Sequence, residues 1–225
     1  MATWGTTSGS APTPASAPVR AAVGLAGWWL QPLLLVLELA AVAAVSVPYS
    51  LVGSTISDLG ARTCTTVAYP SGPVAVCSPW HAAVNAGFVV GGLLLAVGAL
   101  MARRLLPRRR LSTTAVVLWV VSGLSGAATG LVPLDVDAGL HLLVSTPVFL
   151  AQPVAMVLTG VALRPRHPLV GWAGVVLGLV ALLAGGTVAL WLEAPALGLL
   201  ERAALWPTSL YLFWVAVVLV RPARR

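Results

Sequence analysis

Residues 169–191, LVGWAGVVLGLVALLAGGTVALW, carry no charged side chain over a length that can only be buried in lipid or in a protein core. A helix needs about 20 apolar residues to cross the hydrocarbon layer of a bilayer. Five further stretches meet the same requirement, near Trp28–Val47, Trp80–Leu100, Leu111–Val132, Ala138–Leu163 and Ala203–Val220. The gaps between the six are too short for a soluble domain. The sequence therefore predicts an all-α protein, a bundle of six transmembrane helices spanning residues 28–220. It is preceded by a Ser-, Thr-, Ala- and Pro-rich tail over 1–27, expected to be disordered, and followed by a short basic tail over 221–225.

Composition agrees. Apolar residues make up 59% of the chain and charged residues 8%, whereas a soluble domain carries roughly a quarter charged residues. The sequence pI is about 11, and every cation is an arginine. Such basicity can signal nucleic acid, but these arginines sit in short runs between apolar stretches, the pattern that orients membrane proteins. No nucleic-acid partner is expected. The partners implied are membrane lipids and, in one reading, another membrane protein.

Arginine placement sets the expected topology. Arg20, Arg103, Arg104, Arg108, Arg109, Arg110, Arg164, Arg166, Arg221, Arg224 and Arg225 fall on one side, and Arg62 and Arg202 on the other. Basic residues stay cytoplasmic, so both termini are expected in the cytoplasm of a multi-pass cell-membrane protein. A rival reading of the first span as a cleaved signal peptide is disfavoured by its length and by Glu38 within it.

Five of the six acids, Asp58, Asp135, Asp137, Glu193 and Glu201, then fall on the outer side. So do the only two cysteines, Cys64 and Cys77, in a long outer loop over 48–79. Disulfides persist outside the cytoplasm. A bridge here would close a loop of about 14 residues, worth roughly 3 kcal/mol by chain entropy. Ser78-Pro79 reads as the start of the second helix, with serine as cap and proline in the first turn. Glu38 would lie about 13 Å inside the first span at 1.5 Å per residue. An intramembrane carboxyl is either a functional group or the polar fastening between two helices.

The polar residues admit several chemistries. Asp137, His141 and Ser145 recur every four residues, so one helix face could carry a serine-hydrolase row, although no oxyanion hole is evident. A three-histidine zinc site is excluded because His167 lies among the inner arginines; His81, His141 and a carboxylate remain as a mixed set, but neither a metal nor a cofactor is expected. An acid–base pair of His141 with Asp135, Glu201 or Glu38 suits a lipid-like substrate at the outer leaflet. Asn85, His81, Arg202, Ser57 and Asp58 are the candidate binding residues. Asp135, His141 and Arg202 are expected to approach one another, with Asn85 on the same wall and Glu38 below. Glycine steps such as Gly87–Gly91, Gly126–Gly130 and Gly174–Gly178 are read as close packing within one bundle.

Certain pieces occur in a recognisable order: Tyr49-Ser50, Ile56-Ser57-Asp58-Leu59-Gly60, Ser78-Pro79 with Asn85, Gly130-Leu131-Val132-Pro133-Leu134-Asp135 with His141, and Glu201-Arg202 before Trp206. In these the chain resembles the bacterial and archaeal membrane proteins grouped as domain of unknown function 998, over about residues 28–220. Val132 stands where that family usually has phenylalanine. The resemblance implies a six-helix bundle and no particular activity. The leading functional expectation is a polar site at the outer leaflet that binds or processes a lipid-like molecule. The alternatives are a non-catalytic scaffold or partner subunit of an envelope complex, and a small-molecule transporter.

The arginine asymmetry makes a direct prediction. A reporter fused after Arg225 should behave as cytoplasmic and one inserted at Gly72 as external; an external C-terminus would overturn the six-span topology.

Overall fold

The computed structural model describes residues 25–107 and 109–220. Most of the N-terminal tail, the basic C-terminal tail and Arg108 lie outside the described residues. Six helices are long and apolar enough to cross a membrane. They are α1 (Leu25–Ala44), α2 (His81–Ala102), α3 (Arg110–Leu131), α4 (Ala138–Leu163), α5 (Pro168–Leu190) and α6 (Leu197–Val220). Consecutive helices pack side by side, and α1 closes the ring by touching both α2 and α6. The protein is a six-helix polytopic bundle.

The helix limits depart from expectation where polar side chains find partners. The start of α6 is six residues earlier than the apolar run, so Glu201 and Arg202 lie within it, buried. A hydropathy criterion drops both residues because it cannot see their pairing. The regular part of α1 begins at Pro32, after a break at Leu30-Gln31. Proline donates no hydrogen bond and is best accommodated in a first turn. The break is fastened to α2 by side chains: Gln31 Nε2 donates to Gly91 O at 3.0 Å and Trp28 Nε1 to Leu95 O at 3.1 Å. The expected cap at Ser78-Pro79 is displaced. Trp80 precedes the first helical residue, and Ser78 contributes its backbone carbonyl, which accepts from His81 N at 3.3 Å, while its hydroxyl is buried without a partner.

Close helix contact depends on glycine at two crossings. A Cβ on Gly123 would stand 2.5 Å from Gly92 O, so α2 and α3 meet backbone to backbone. Between α4 and α5, a Cβ on Gly160 would stand 2.5 Å from Gly171 O. The glycines of the three steps named above also face neighbouring helices, or loop and side-chain atoms of this same chain. In lipid no hydrophobic force joins helices, so such van der Waals contact carries much of their association.

All three inter-helix segments at the end of the bundle near Cys64 take part in one structure. The segment between α1 and α2 holds a hairpin of β1 (Thr65–Tyr69) and β2 (Gly72–Val76), with Tyr69 opposite Gly72 across a two-residue turn. Gly72 takes φ +126°, which side chains rarely adopt. Val67 and Val76 face inward onto Ala61 and Leu134. Cys64 and Cys77, one step beyond the Thr65–Val76 pair, form a disulfide. A short 3₁₀ turn over Ser57–Gly60 precedes the hairpin.

Candidate functional site

Arg202 is the residue around which this end is arranged. The residue is 2% exposed. The guanidinium has five N–H groups and accepts nothing, so every one needs an acceptor. Nε donates to Glu38 Oε1 at 2.8 Å, reaching from α6 to α1. Nη2 donates to Tyr49 Oη at 2.6 Å. The two hydrogens of Nη1 serve three carbonyls, Leu51 at 2.8 Å, Ser54 at 2.7 Å and Gly198 at 2.9 Å. Trp206 is one helical turn beyond Arg202 and therefore on the same face. Its Nε1 donates to the second oxygen of Glu38 at 2.7 Å. The carboxylate and guanidinium are thus almost wholly satisfied by α1, α6 and the segment after α1.

The next residue on α6, Glu201, turns to a different partner. Its Oε2 accepts from Ile56 N, and its Oε1 lies 3.3 Å from Ser57 Oγ. On the other side of Ser57, His141 Nε2 is 3.0 Å from the same hydroxyl. His141 Nδ1 is 2.6 Å from Val132 O. A carbonyl only accepts, so Nδ1 carries the hydrogen and a neutral His141 presents Nε2 as an acceptor.

The remaining polar residues grip the same segment. Asn85 Nδ2 donates to Gly60 O at 2.8 Å. Gly60 is required there, since a Cβ would stand 2.5 Å from the Asn85 carboxamide oxygen. Asp135 accepts from Arg62 N at 2.9 Å, Thr63 N at 3.0 Å and Thr63 Oγ1 at 3.0 Å. Partial burial pulls the Asp135 carboxyl upward, but these hydrogen bonds outweigh it and hold the group below its ordinary value. Asp58 accepts from Thr55 N at 2.8 Å and Tyr69 Oη at 2.7 Å. Its burial raises the carboxyl above the usual range despite those bonds. Burial also pushes the phenols of Tyr49 and Tyr69 upward, so both remain neutral donors.

Several expectations are corrected. Asp135 does not approach His141 or Arg202; its carboxylate is committed to the backbone of residues 62–63. The nitrogens of His141 face Ser57 and Val132, not Asp135 or Glu38. The row Asp137, His141 and Ser145 is no triad. Asp137 caps α4 through Leu140 N at 2.9 Å, and Ser145 Oγ donates to Leu142 O at 3.2 Å. His81 stays apart, its Nδ1 buried without a partner. Among the described residues no three His, Cys, Asp or Glu side chains stand close enough to hold a metal ion. Glu38 does face the bundle interior, and Arg202 joins it.

The family described as Protein of unknown function (DUF998) matches residues 30–218. The chain belongs to this family. No curated protein and no solved structure matches the chain. For this DUF998 member the matched span includes every residue of the network around Arg202, Glu201, Asn85, Asp135 and Asp58. Tyr49, Ser57, Asp58, Gly60, Asn85, Asp135, His141, Arg202 and Trp206, which carry the sequence resemblance, are all members of the network.

Sequence reasoning gave no role to Thr55, Tyr69, Val132 or Trp206. Trp206 had a signal, its i,i+4 spacing from Arg202. Thr55 and the Val132 carbonyl had none, since a backbone acceptor or a loop hydroxyl has no signature in composition.

Beside this network, inside the bundle, is a cavity of about 110 Å³. Leu34, Leu37, Phe88, Leu95, Val148 and Leu205 give it a mostly apolar wall, and Glu38, Ile56 and Trp206 line it beside the Arg202 network.

Removing one member of a buried ion pair leaves the other uncompensated, at a cost of about 3–5 kcal/mol. Arg202→Met and Glu38→Met are each expected to lower unfolding stability in detergent by that order. The double variant should recover part of the loss, a non-additivity that a double-mutant cycle measures. Additive losses would show that the pair is not coupled.

Proposed function

We propose that this protein is an integral protein of the cell membrane, with its disulfide end outside and both termini cytoplasmic, that binds a lipid-like amphipathic molecule. The observation that supports this most is the cavity between α1 and the rest of the bundle. Its wall is mostly apolar, with Glu38 and Trp206 lining it where it borders the Arg202 network and Gln31, Ser122, Gln152, Thr208 and Ser209 adding polar groups elsewhere. An apolar tail would enter among Leu34, Leu37 and Phe88, and a polar head group would remain near the segment over 49–63.

Physical chemistry constrains this reading. A tail leaving bulk lipid for an apolar cavity gains no hydrophobic energy, because lipid is already apolar. What it gains is contact, since a void forfeits the dispersion attraction of its lining atoms. An apolar cavity of about 150 Å³ admits a benzene ring, so about 110 Å³ takes a segment of a tail and not a whole lipid. Selectivity must then come from the polar groups. A second reading, a non-catalytic scaffold, is favoured by one observation: the Arg202 and Glu38 groups are nearly saturated by their own chain.

Gly126 lines the cavity, and a Cβ there would meet only ordinary contacts, Gly92 Cα at 3.8 Å and Val148 Cγ2 at 3.9 Å. Gly126→Leu should therefore fill the space without forcing helices apart. Protein extracted in mild detergent and weighed intact by mass spectrometry is expected to carry bound lipid, and the variant about tenfold less, equivalent to roughly 1.4 kcal/mol. Equal lipid on both proteins, with equal thermal stability, would remove the cavity from the account and leave the scaffold reading ahead.

A further inference from the structure

The contact between Ser57 and His141 has a form that helix fastening does not require. A nucleophilic hydroxyl is recognised by a base within hydrogen-bond reach, the base being oriented in turn by a third group. Ser57 Oγ is 3.0 Å from His141 Nε2, and His141 Nδ1–H is fixed by the Val132 carbonyl at 2.6 Å. Ser57 has a single hydrogen and two neighbours that could take it. Hydroxyl-to-oxygen bonds normally run about 2.5–3.0 Å. Glu201 Oε1, at 3.3 Å, is beyond that range, and His141 is the closer acceptor. Ser57 is also partly exposed, while His141 and Glu201 are buried. Of the three, Ser57 is therefore the residue open to a reagent, while its base stays shielded.

We infer that Ser57 is a nucleophile activated by His141, and that it transfers the acyl group of a lipid carboxylic ester to water. The substrate class rests on the lipid-binding reading above; the reactivity of Ser57 does not. Ile56, the neighbour of Ser57 in the chain, lines the cavity, so an ester whose tail occupies the cavity would have its carbonyl near the Ile56-Ser57 turn.

The chemistry balances without an external redox partner. The Ser57 proton passes to His141 Nε2 as the Oγ lone pair bonds to the ester carbonyl carbon. The bond from that carbon to the alcohol oxygen then breaks, and the proton on Nε2 goes to the departing alkoxide. Water attacks the acyl-Ser57, giving one proton to His141. The carboxylic acid leaves, and the proton returns to Ser57 Oγ. The Val132 carbonyl acts as a positioning group, holding the imidazole in the tautomer that accepts at Nε2.

The test is covalent labelling of the full chain in detergent micelles with a small alkyl fluorophosphonate, read by peptide mass spectrometry. The expected result is one adduct, on Ser57. Ser57→Ala should carry none, and His141→Gln should label about a hundredfold more slowly, the usual contribution of a general base. Failure of folded wild-type protein to label at Ser57 would overturn the inference, as would an unchanged rate in His141→Gln. If His141→Gln does not hold its fold, the wild-type rate between about pH 5 and about pH 9 replaces it. That rate should rise as His141 loses its proton. The charged group acting on His141 is Asp58 from the 3₁₀ turn, and Glu201 from α6 shares the Ser57 hydroxyl with it. A flat profile would count against His141 as the base. Labelling in Gly126→Leu separates the two proposals. Ser57 should still label there even though lipid is lost, so a failure of lipid binding and a failure of the nucleophile give different results.

Discussion

The guanidinium of Arg202 and the carboxylate of Glu38 meet at 2.8 Å inside a bundle that is otherwise apolar, with 2% and 5% of the two residues exposed. Either charge alone in the membrane would cost on the order of 3 kcal/mol or more on insertion scales. Together they form a neutral unit that can be buried, and geometry then assigns the remaining donors. Beyond the N–H groups given to Glu38 and Tyr49, the two hydrogens of Nη1 are shared among the carbonyls of Leu51, Ser54 and Gly198. One ion pair thereby joins the first helix, the last helix and the chain that follows the first helix. α1 has few other polar ties at this end, and its contact with α6 passes through this pair and Trp206.

The segment from Tyr49 to Thr63 explains the rest of the arrangement. Apart from the 3₁₀ turn it has no regular ladder to satisfy its amides and carbonyls, and buried irregular backbone cannot leave them unpaired. Three helices, the chain before α4 and a hairpin supply the partners. α6 gives Arg202 and Glu201, α4 gives His141, α2 gives Asn85, the chain before α4 gives Asp135, and the hairpin gives Tyr69. The polar residues converge because one irregular strip of backbone needs all of them. The cavity lies beside this strip, with Leu34 and Leu37 of α1 on its wall. A strip held this firmly can keep a hydroxyl such as that of Ser57 in fixed register with an imidazole 84 residues away.

The sequence is most legible where the signal is one-dimensional. Lipid demands long uncharged runs, so the six helices can be read directly, and the cysteine pair in the segment after α1 is indeed bridged. Glu38 is legible as an interior residue because a lone carboxyl in such a run must find a partner. The identity of that partner, Arg202, is less so, because the apolar run of α6 starts after that arginine. Asp135 is assigned to the wrong partner for a similar reason. Spacing places it near His141 along the chain, but the chain after the 3₁₀ turn folds back over it and offers two amides first. The hairpin of β1 and β2 escapes because its strands are five residues long, and only Val67 and Val76 among their residues are fully buried. The link between Ser57 and His141 depends on the packing of α4 against the 3₁₀ turn, which no local pattern records.

The central claim is that the strip over 49–63 is held as a rigid unit by side chains anchored on Arg202 and Glu38. Hydrogen–deuterium exchange of the full chain in lipid nanodiscs addresses it directly, at the amides of Thr55, Ile56, Arg62 and Thr63. Each of these donates to a carboxylate, and none belongs to a helix or strand. The account predicts slow exchange at all four in the wild type and a joint acceleration at Thr55 and Ile56 when Arg202 is replaced by methionine. Exchange at open-coil rates in the wild type, or unchanged protection at Thr55 and Ile56 in that variant, would contradict it.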